Sequence, residues 1–168
     1  MRAGADAVGL NLVPGTPRAL SLDEAGELAR VIRSAAPPDR RPSIIAITVD
    51  PDDALCDGLV SEVGVDAIQD NGTSTTRAVE HGPRRWRALH IGASVDAGTE
   101  TAVESAARDL LANGVERVLI DTAGGRHPGG TGVRADVAAV TSVARAVPIT
   151  LAGGRDPANV AGALRSMP

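Results

Sequence analysis

The chain has 168 residues, a formal net charge of −4 and a sequence pI of about 5.3. Its length suits one domain with a substantial core, and its acidic balance argues against nucleic acid or an anionic membrane as partner. No apolar run approaches the roughly 20 residues that span a bilayer, and we see no signal-peptide pattern. We therefore expect a cytoplasmic protein without a membrane partner.

Missing residue types restrict the chemistry further. The sequence contains no Lys, Tyr or Phe, so no lysine can form a Schiff base and the core must consist of Ala, Val, Leu and Ile. The single cysteine, Cys56, shares helical spacing with Val60 and Val63, which indicates a core residue rather than a nucleophile. His81 and His127 have no second ligand at metal spacing, so we predict no metal site.

The first half of the chain alternates between strand and helix patterns. The predicted elements are a strand at 6–12, a helix at 21–35, a strand at 43–49, a helix at 51–64, a strand at 66–69 and a weakly patterned helix at 73–82. In the first helix, Ser21 is the expected N-cap and Glu24 completes a capping box. Its expected apolar face comprises Leu22, Ala25, Leu28, Ala29 and Ile32.

The second half continues the alternation. The predicted elements are a strand at 86–91, a helix at 98–113, a strand at 117–121, a helix at 134–146, a strand at 148–152 and a helix at 156–166. For the last helix we expect Asp156 at the N-cap and Pro157 at the first helical position. The arginines around Trp86 indicate a solvated turn beside a half-buried indole.

Six strand–helix units without a hairpin pattern predict a parallel sheet whose strand carboxyl ends share one edge. Polar residues or glycines stand at those ends: Asn11, Asp50, Gln69, Asp70, His90, Asp121 and the glycines of 152–154. Ligand sites of open α/β sheets and of (β/α)₈ barrels lie at this edge. We therefore expect Asp121, which follows an apolar run, to face a ligand site.

Two glycine-rich segments could hold an anion. The segment "LAGGRDPANV" (151–160) joins a strand to a helix, where backbone N–H groups can meet a phosphate, but an ordinary capped loop fits it equally well. The segment "GGTG" (129–132) could cradle an anionic group or simply form a loop. Arg18 could clamp a carboxylate, although a solvated loop arginine explains it as well when that loop is judged alone.

Taken together, five motifs in order resemble the phosphoribosylanthranilate isomerase family of tryptophan biosynthesis, over residues 3–165. They are "GADAVGLNLVPGTPRALSLDEA", "IAITVDPDDAL", "VDAIQDNG", "VLIDT" with "GGTG", and "LAGGRDPANV". The resemblance implies a parallel (β/α) barrel of the TIM type. It also implies a cofactor-free Amadori isomerisation of a small phosphorylated sugar, N-(5-phosphoribosyl)anthranilate.

The resemblance also implies roles for particular residues. Asp121 matches the general acid, which must carry a proton when it meets the furanose ring oxygen. Arg18 and Gln69 match substrate-binding positions, and Arg18 meets the anthranilate side. The glycines expected at the substrate loop and at the phosphate are Gly130 and Gly132 for the loop, and Gly153 and Gly154 for the phosphate.

The sequence departs from the family pattern in four places, one of which is Val133, where the family often has Lys after the "GGTG" loop. The family's first strand, whose "CGI" cysteine is the general base, and its last strand, "DVSSGVE", have no counterpart here, and "QLHG" is replaced by "QDNG" (69–72). We therefore expect residues 1–168 to form a single partial barrel with about six of eight β/α units. Such a barrel should have little or no activity alone, and a homodimer could cover its open edges.

Two other interpretations stay open at this point. The chain could be a non-catalytic, phosphate-binding or partner-completed relative of the barrel. It could also be a different barrel enzyme with a phosphate site, in which Asp70 or His90 acts as the base.

Overall fold

The computed structural model describes residues 5–73, 82–91, 97–122, 137–154 and 156–167. The chain divides into two compact units, residues 1–85 and 86–168, and each is described by itself. The predicted single domain therefore stays a prediction. The helix predicted at 73–82 lies, apart from its end residues, outside the described residues, as do Gly130 and Gly132.

The first unit contains three parallel strands. Its elements are β1 (Ala7–Asn11), α1 (Leu22–Ser34), a 3₁₀ turn (Pro38–Arg40), β2 (Ser43–Thr48), α2 (Asp53–Gly58), a π-helical turn (Leu59–Val63) and β3 (Ala67–Asp70). Strand β2 pairs with both neighbours, with Asn11 opposite Ile47 and Ile47 opposite Gln69. The carboxyl ends of these three strands therefore lie side by side, as the alternation predicts.

The second unit repeats this arrangement. Its elements are β4 (Arg84–Ile91, which begins two residues before the division), α3 (Ala97–Ala112), β5 (Arg117–Thr122), α4 (Val137–Ala146), β6 (Ile149–Leu151) and α5 (Val160–Ser166). Strand β5 pairs in parallel with β4 and β6. All the pairings within the two units are parallel, which confirms the predicted sheet type for these strands.

Each unit has its own aliphatic core on the helix side of its strands. The first core contains Leu10, Leu12, Ala25, Ala29, Ile44, Ala46, Leu59, Val63, Val65 and Ile68. The second contains Ile91, Ala107, Val115, Val118, Ile120, Val140, Val143 and Val147. Because successive side chains of a strand point to opposite faces, the alternate residues of each unit lie on the face of its strands away from its own helices: Asn11 and Gln69 in the first unit, and His90 and Asp121 in the second.

The start of α1 follows the sequence closely. The Ser21 hydroxyl accepts from the Glu24 N–H at 3.2 Å, and the Glu24 carboxylate accepts from the Ser21 N–H at 2.8 Å. The predicted capping box is therefore confirmed. Cys56 is partly buried and packs against the first core, which confirms its structural interpretation.

Two predicted core positions are wrong. Leu28 is 41% exposed, because the buried stripe of α1 follows Ala25 and Ala29. Val60 is 47% exposed, because residues 59–63 form a π-helical turn instead of continuing the α-helix. A π-helical turn contains more residues than an α-helical turn, so different residues come to lie on the same face. Leu59 and Val63 are buried, whereas Val60 points to solvent.

Two predictions about local structure also need correction. The last helix begins at Val160 instead of 156, so Pro157 precedes the helix and Asp156 is not its N-cap. Residues 84–87 form part of β4 instead of a solvated turn, and Arg87 is buried. Trp86 is half-buried as expected, and the Arg117 guanidinium lies 4.7 Å from the centre of its ring.

Among the described residues, no helix combines the length and apolarity that crossing a bilayer needs.

Candidate active site

Asp121 stands next to the carboxyl end of β5, above a buried aliphatic layer. Ile120 and Val118, its neighbours in the strand, are at most 1% exposed and pack toward the helices. Asp121 is partly buried and on the opposite face, in register with His90 of β4. The two side chains therefore leave the same side of the sheet, from neighbouring backbones that lie about 4.8 Å apart.

A glycine turn follows the adjacent strand and lies beside Asp121. The Ala152 N–H donates to the carbonyl of Ile120 at 2.8 Å, which continues the β5–β6 pairing one step beyond β6. Gly153 and Gly154 come next, with φ angles of 77° and 57°. Only glycine adopts two successive left-handed conformations at low cost, so the sequence "GG" is required by the backbone here. The predicted proximity of Asp121 to this turn is therefore present.

The turn is fixed by the residues that follow it. The Asn159 side-chain amide donates to the Gly154 carbonyl at 2.8 Å. The Asp156 carboxylate accepts from the Ala158 N–H at 2.8 Å and from the Asn159 N–H at 2.9 Å. Because the Asp156 carboxylate already accepts hydrogen bonds from these two N–H groups, an anion would bind at the glycine turn rather than at the start of α5.

The first unit presents a second group of polar residues at the carboxyl ends of its strands. Asn11 anchors the loop that follows β1, since its side chain accepts from the Val13 N–H at 3.0 Å and donates to the Thr16 hydroxyl at 2.9 Å. Arg18 is exposed on this anchored loop. Gln69 is half-buried on the same face of the sheet as Asn11, with Ile47 between them.

Asp70 has a structural role that the sequence interpretation missed. It is 3% exposed and lies on the helix side of β3, and its Oδ1 accepts from the Asp50 and Gly72 N–H groups, both at 2.8 Å. Asp50 has a φ of 44°, a left-handed conformation that costs energy for a residue with a side chain. The structure therefore favours Asp70 as a backbone anchor over Asp70 as a base, and only the Asp-Asn-Gly run hinted at such a turn.

The structure thus groups the predicted site residues by unit. In the first unit, Arg18 and Gln69 lie at the strand carboxyl ends or on the loop that follows. In the second, Asp121, Gly153 and Gly154 lie together on neighbouring strand ends. In the described part of the chain, no group of three or more His, Cys, Asp or Glu side chains could hold a metal ion.

Parallel strands, connecting helices and polar strand ends define an α/β protein with its candidate site at the carboxyl edge. A family model described as N-(5'phosphoribosyl)anthranilate (PRA) isomerase matches residues 2–168. The N-(5'-phosphoribosyl)anthranilate isomerase of Nitrobacter hamburgensis is 33% identical over 169 residues, covering 99% of this chain and 71% of the relative. The chain therefore belongs to the phosphoribosylanthranilate isomerase family, which confirms the predicted family and its place in tryptophan biosynthesis.

Solved structures agree with this assignment at the level of the fold. The phosphoribosylanthranilate isomerase of Thermotoga maritima has a TM-score of 0.75 at 19% identity, covering 99% of this chain and 75% of that one. Another, in complex with reduced 1-(o-carboxyphenylamino)-1-deoxyribulose 5-phosphate, has a TM-score of 0.68 at 18% identity, covering 99% and 73%. The predicted TIM-type (β/α) barrel fold class is confirmed.

Proposed function

We propose that this chain acts on N-(5-phosphoribosyl)anthranilate, at the low rate expected from its sequence, with Asp121 as the general acid. The observation that carries the proposal is the hydrogen bond from the Ala152 N–H to the Ile120 carbonyl, which places the glycine turn beside Asp121. A carboxylic acid that can donate a proton and a backbone turn that can meet a phosphate are two groups that a phosphorylated sugar undergoing ring opening requires.

The chemistry starts with proton transfer. Asp121 gives its proton to the furanose ring oxygen, the C1–O bond breaks, and the nitrogen lone pair forms a Schiff base with C1. A base then removes the proton on C2, the electron pair forms an enol, and tautomerisation yields the ketone. Oxidation at C2 and reduction at C1 balance within one molecule, so no cofactor is consumed.

The remaining family positions hold the substrate. Gly153 and Gly154 meet the phosphate through their backbone, because a side chain would block close approach and strain a left-handed φ. Arg18 pairs with the anthranilate carboxylate, where a planar guanidinium gives two-point contact. Gln69 binds the substrate, and Gly130 and Gly132 form the loop over it. A cytoplasmic location belongs to the same proposal.

The test compares Asp121→Asn with the wild-type protein by following the loss of N-(5-phosphoribosyl)anthranilate. An amide cannot donate the acidic proton, so we expect the rate to fall by about 10²–10⁴-fold. Asp109→Asn, on the exposed side of α3, is the matched control and should keep the wild-type rate. Binding of the reduced product analogue should stay close to wild type in both variants.

Equal rates for Asp121→Asn and wild type would contradict the proposed acid. Binding of the analogue by a wild-type protein that shows no turnover would instead favour the non-catalytic interpretation of the chain.

A further inference from the structure

The "QDNG" segment forms a chain of hydrogen bonds at the end of β3, from the Thr48 carbonyl through Asn71 to Gln69, which we call the relay. Asn71 donates twice to the Thr48 carbonyl, from its backbone N–H at 2.9 Å and from its side-chain amide at 3.3 Å. The Gln69 amide nitrogen donates to the Asn71 Oδ1 at 3.2 Å. The relay therefore runs from the main chain of β2 to a half-buried glutamine on the face that carries Asn11.

The main chain sets the direction of this relay. A backbone carbonyl can only accept, so the amide nitrogen of Asn71 must face Thr48 and its oxygen must face Gln69. Two amide oxygens cannot hydrogen bond to each other, so Gln69 turns its nitrogen to Asn71. Its Oε1 is then the group directed elsewhere, and among the described residues none donates to it.

Asp70 holds the relay in place. Its Oδ1 ties the Asp50 and Gly72 N–H groups together at 2.8 Å each, across the ends of β2 and β3. The Thr48 hydroxyl adds a bond to the Gln69 carbonyl at 3.1 Å. The Asp50 carboxylate accepts from the Thr73 N–H at 2.8 Å. The turn that carries Asn71 is thus fixed on both sides.

We propose that Asp70 and Asn71 are positioning residues that make Gln69 present its carbonyl oxygen to the substrate. This inference rests on the proposed function and deepens it. An oxygen acceptor selects a hydrogen-bond donor, and the substrate has two kinds, the ribose hydroxyls and the secondary amine. The phosphate and the carboxylate are acceptors at neutral pH, so Gln69 repels them and meets the sugar–amine junction where the ring opens.

The test measures two dissociation constants calorimetrically, for the reduced product analogue and for inorganic phosphate. Asn71→Ala removes both the side-chain bond to the Thr48 carbonyl and the acceptor for the Gln69 nitrogen, so analogue binding should weaken about tenfold, the equivalent of one oriented hydrogen bond. Phosphate binding and the urea midpoint should change little. Asp70→Ala should weaken analogue binding similarly, and Asp70→Asn, which keeps an acceptor oxygen, should recover most of it.

The control is Asp53→Asn, on the exposed start of α2, which should leave both dissociation constants within about twofold of wild type. Unchanged analogue binding in Asn71→Ala would overturn the inference. Parallel losses of analogue binding, phosphate binding and stability would also overturn it, because they would mark a purely structural turn.

A measurement without ligand separates this inference from the proposed function. In the wild-type protein the side-chain NH₂ signal of Gln69 should show slow hydrogen exchange, and exchange should accelerate in Asn71→Ala, which lacks the acceptor oxygen. If the wild type binds neither ligand, the proposed function fails while the slow signal still reports the relay. Fast exchange in a wild type that binds the analogue overturns the relay alone.

Discussion

At the scale of single residues, Gly72 shows how tightly the end of β3 is built. A Cβ atom at this position would lie 2.6 Å from the Asp50 backbone nitrogen and would also overlap the Asp50 carboxylate. Backbone cannot move aside as a flexible side chain can, so Gly72→Ala should lower the free energy of unfolding by about 2 kcal/mol. Urea denaturation measures this change.

A second glycine provides the control for this substitution. Gly162 lies within α5, and a Cβ there would have no atom within 4 Å. Alanine favours helix over glycine by up to about 1 kcal/mol, so Gly162→Ala should match or exceed wild-type stability. A Gly72→Ala protein as stable as Gly162→Ala would show that the close approach of Gly72 to Asp50 does not constrain the turn.

The local sequence pattern predicts the position of Asp121 at the sheet edge, and the family resemblance predicts its role as acid, but neither predicts the hydrogen bonds of Asp70. Asp121 ends an apolar run, and parallel strands place such residues at one edge, so its position follows from local pattern. The Asp70 bonds to the Asp50 and Gly72 amides depend on strand register across β2 and β3, which no local pattern contains. Asp70 therefore looked like a candidate base although it is buried on the helix side.

At the scale of elements, the capping box of α1 makes a pH-dependent prediction. The hydrogen bond from the Ser21 N–H, and then the one with the Ser21 hydroxyl, lower the pKa of Glu24 below its ordinary value of 4.5. A carboxyl whose folded pKa is lowered contributes stability above pH 4.5 and loses it as the pH falls through the folded pKa. Glu24→Gln should therefore cost stability at pH 7, and the difference from wild type should shrink toward pH 3.

Urea midpoints of the wild type and Glu24→Gln, taken from pH 7 to pH 3, measure this difference. A difference that stays constant across that range would show that the charged form of Glu24 does not support the cap.

Element types were predictable and element details were not. Apolar runs that alternate with helical patterns predict every described strand, and the Ser21–Glu24 spacing predicts the start of α1. The π-helical turn at Leu59–Val63 and the late start of α5 depend on backbone hydrogen bonds instead of composition. The apolar pattern consequently places Val60 on the wrong face, and the capping pattern puts Asp156 at the start of a helix that begins four residues later.

At the scale of the whole molecule, the family assignment rests on motifs in order along the chain. The match covers residues 2–168, and the relative from Nitrobacter hamburgensis is matched over 71% of its length. Residues that the resemblance assigns to the site stand at strand ends in each unit, Gln69 at the end of β3 and Asp121 near the end of β5. The predicted homodimer stays a prediction.

The most direct test of the account is an amide NMR titration of the ¹⁵N-labelled protein with the reduced product analogue. We expect saturable shifts concentrated at the backbone amides of Asp121, Ala152, Gly153 and Gly154, with the surfaces of α3 and α4 unchanged. Shifts that avoid the ends of β5 and β6, or no saturable shift at all, would contradict the assignment of this glycine turn and its neighbouring carboxylate to the active site.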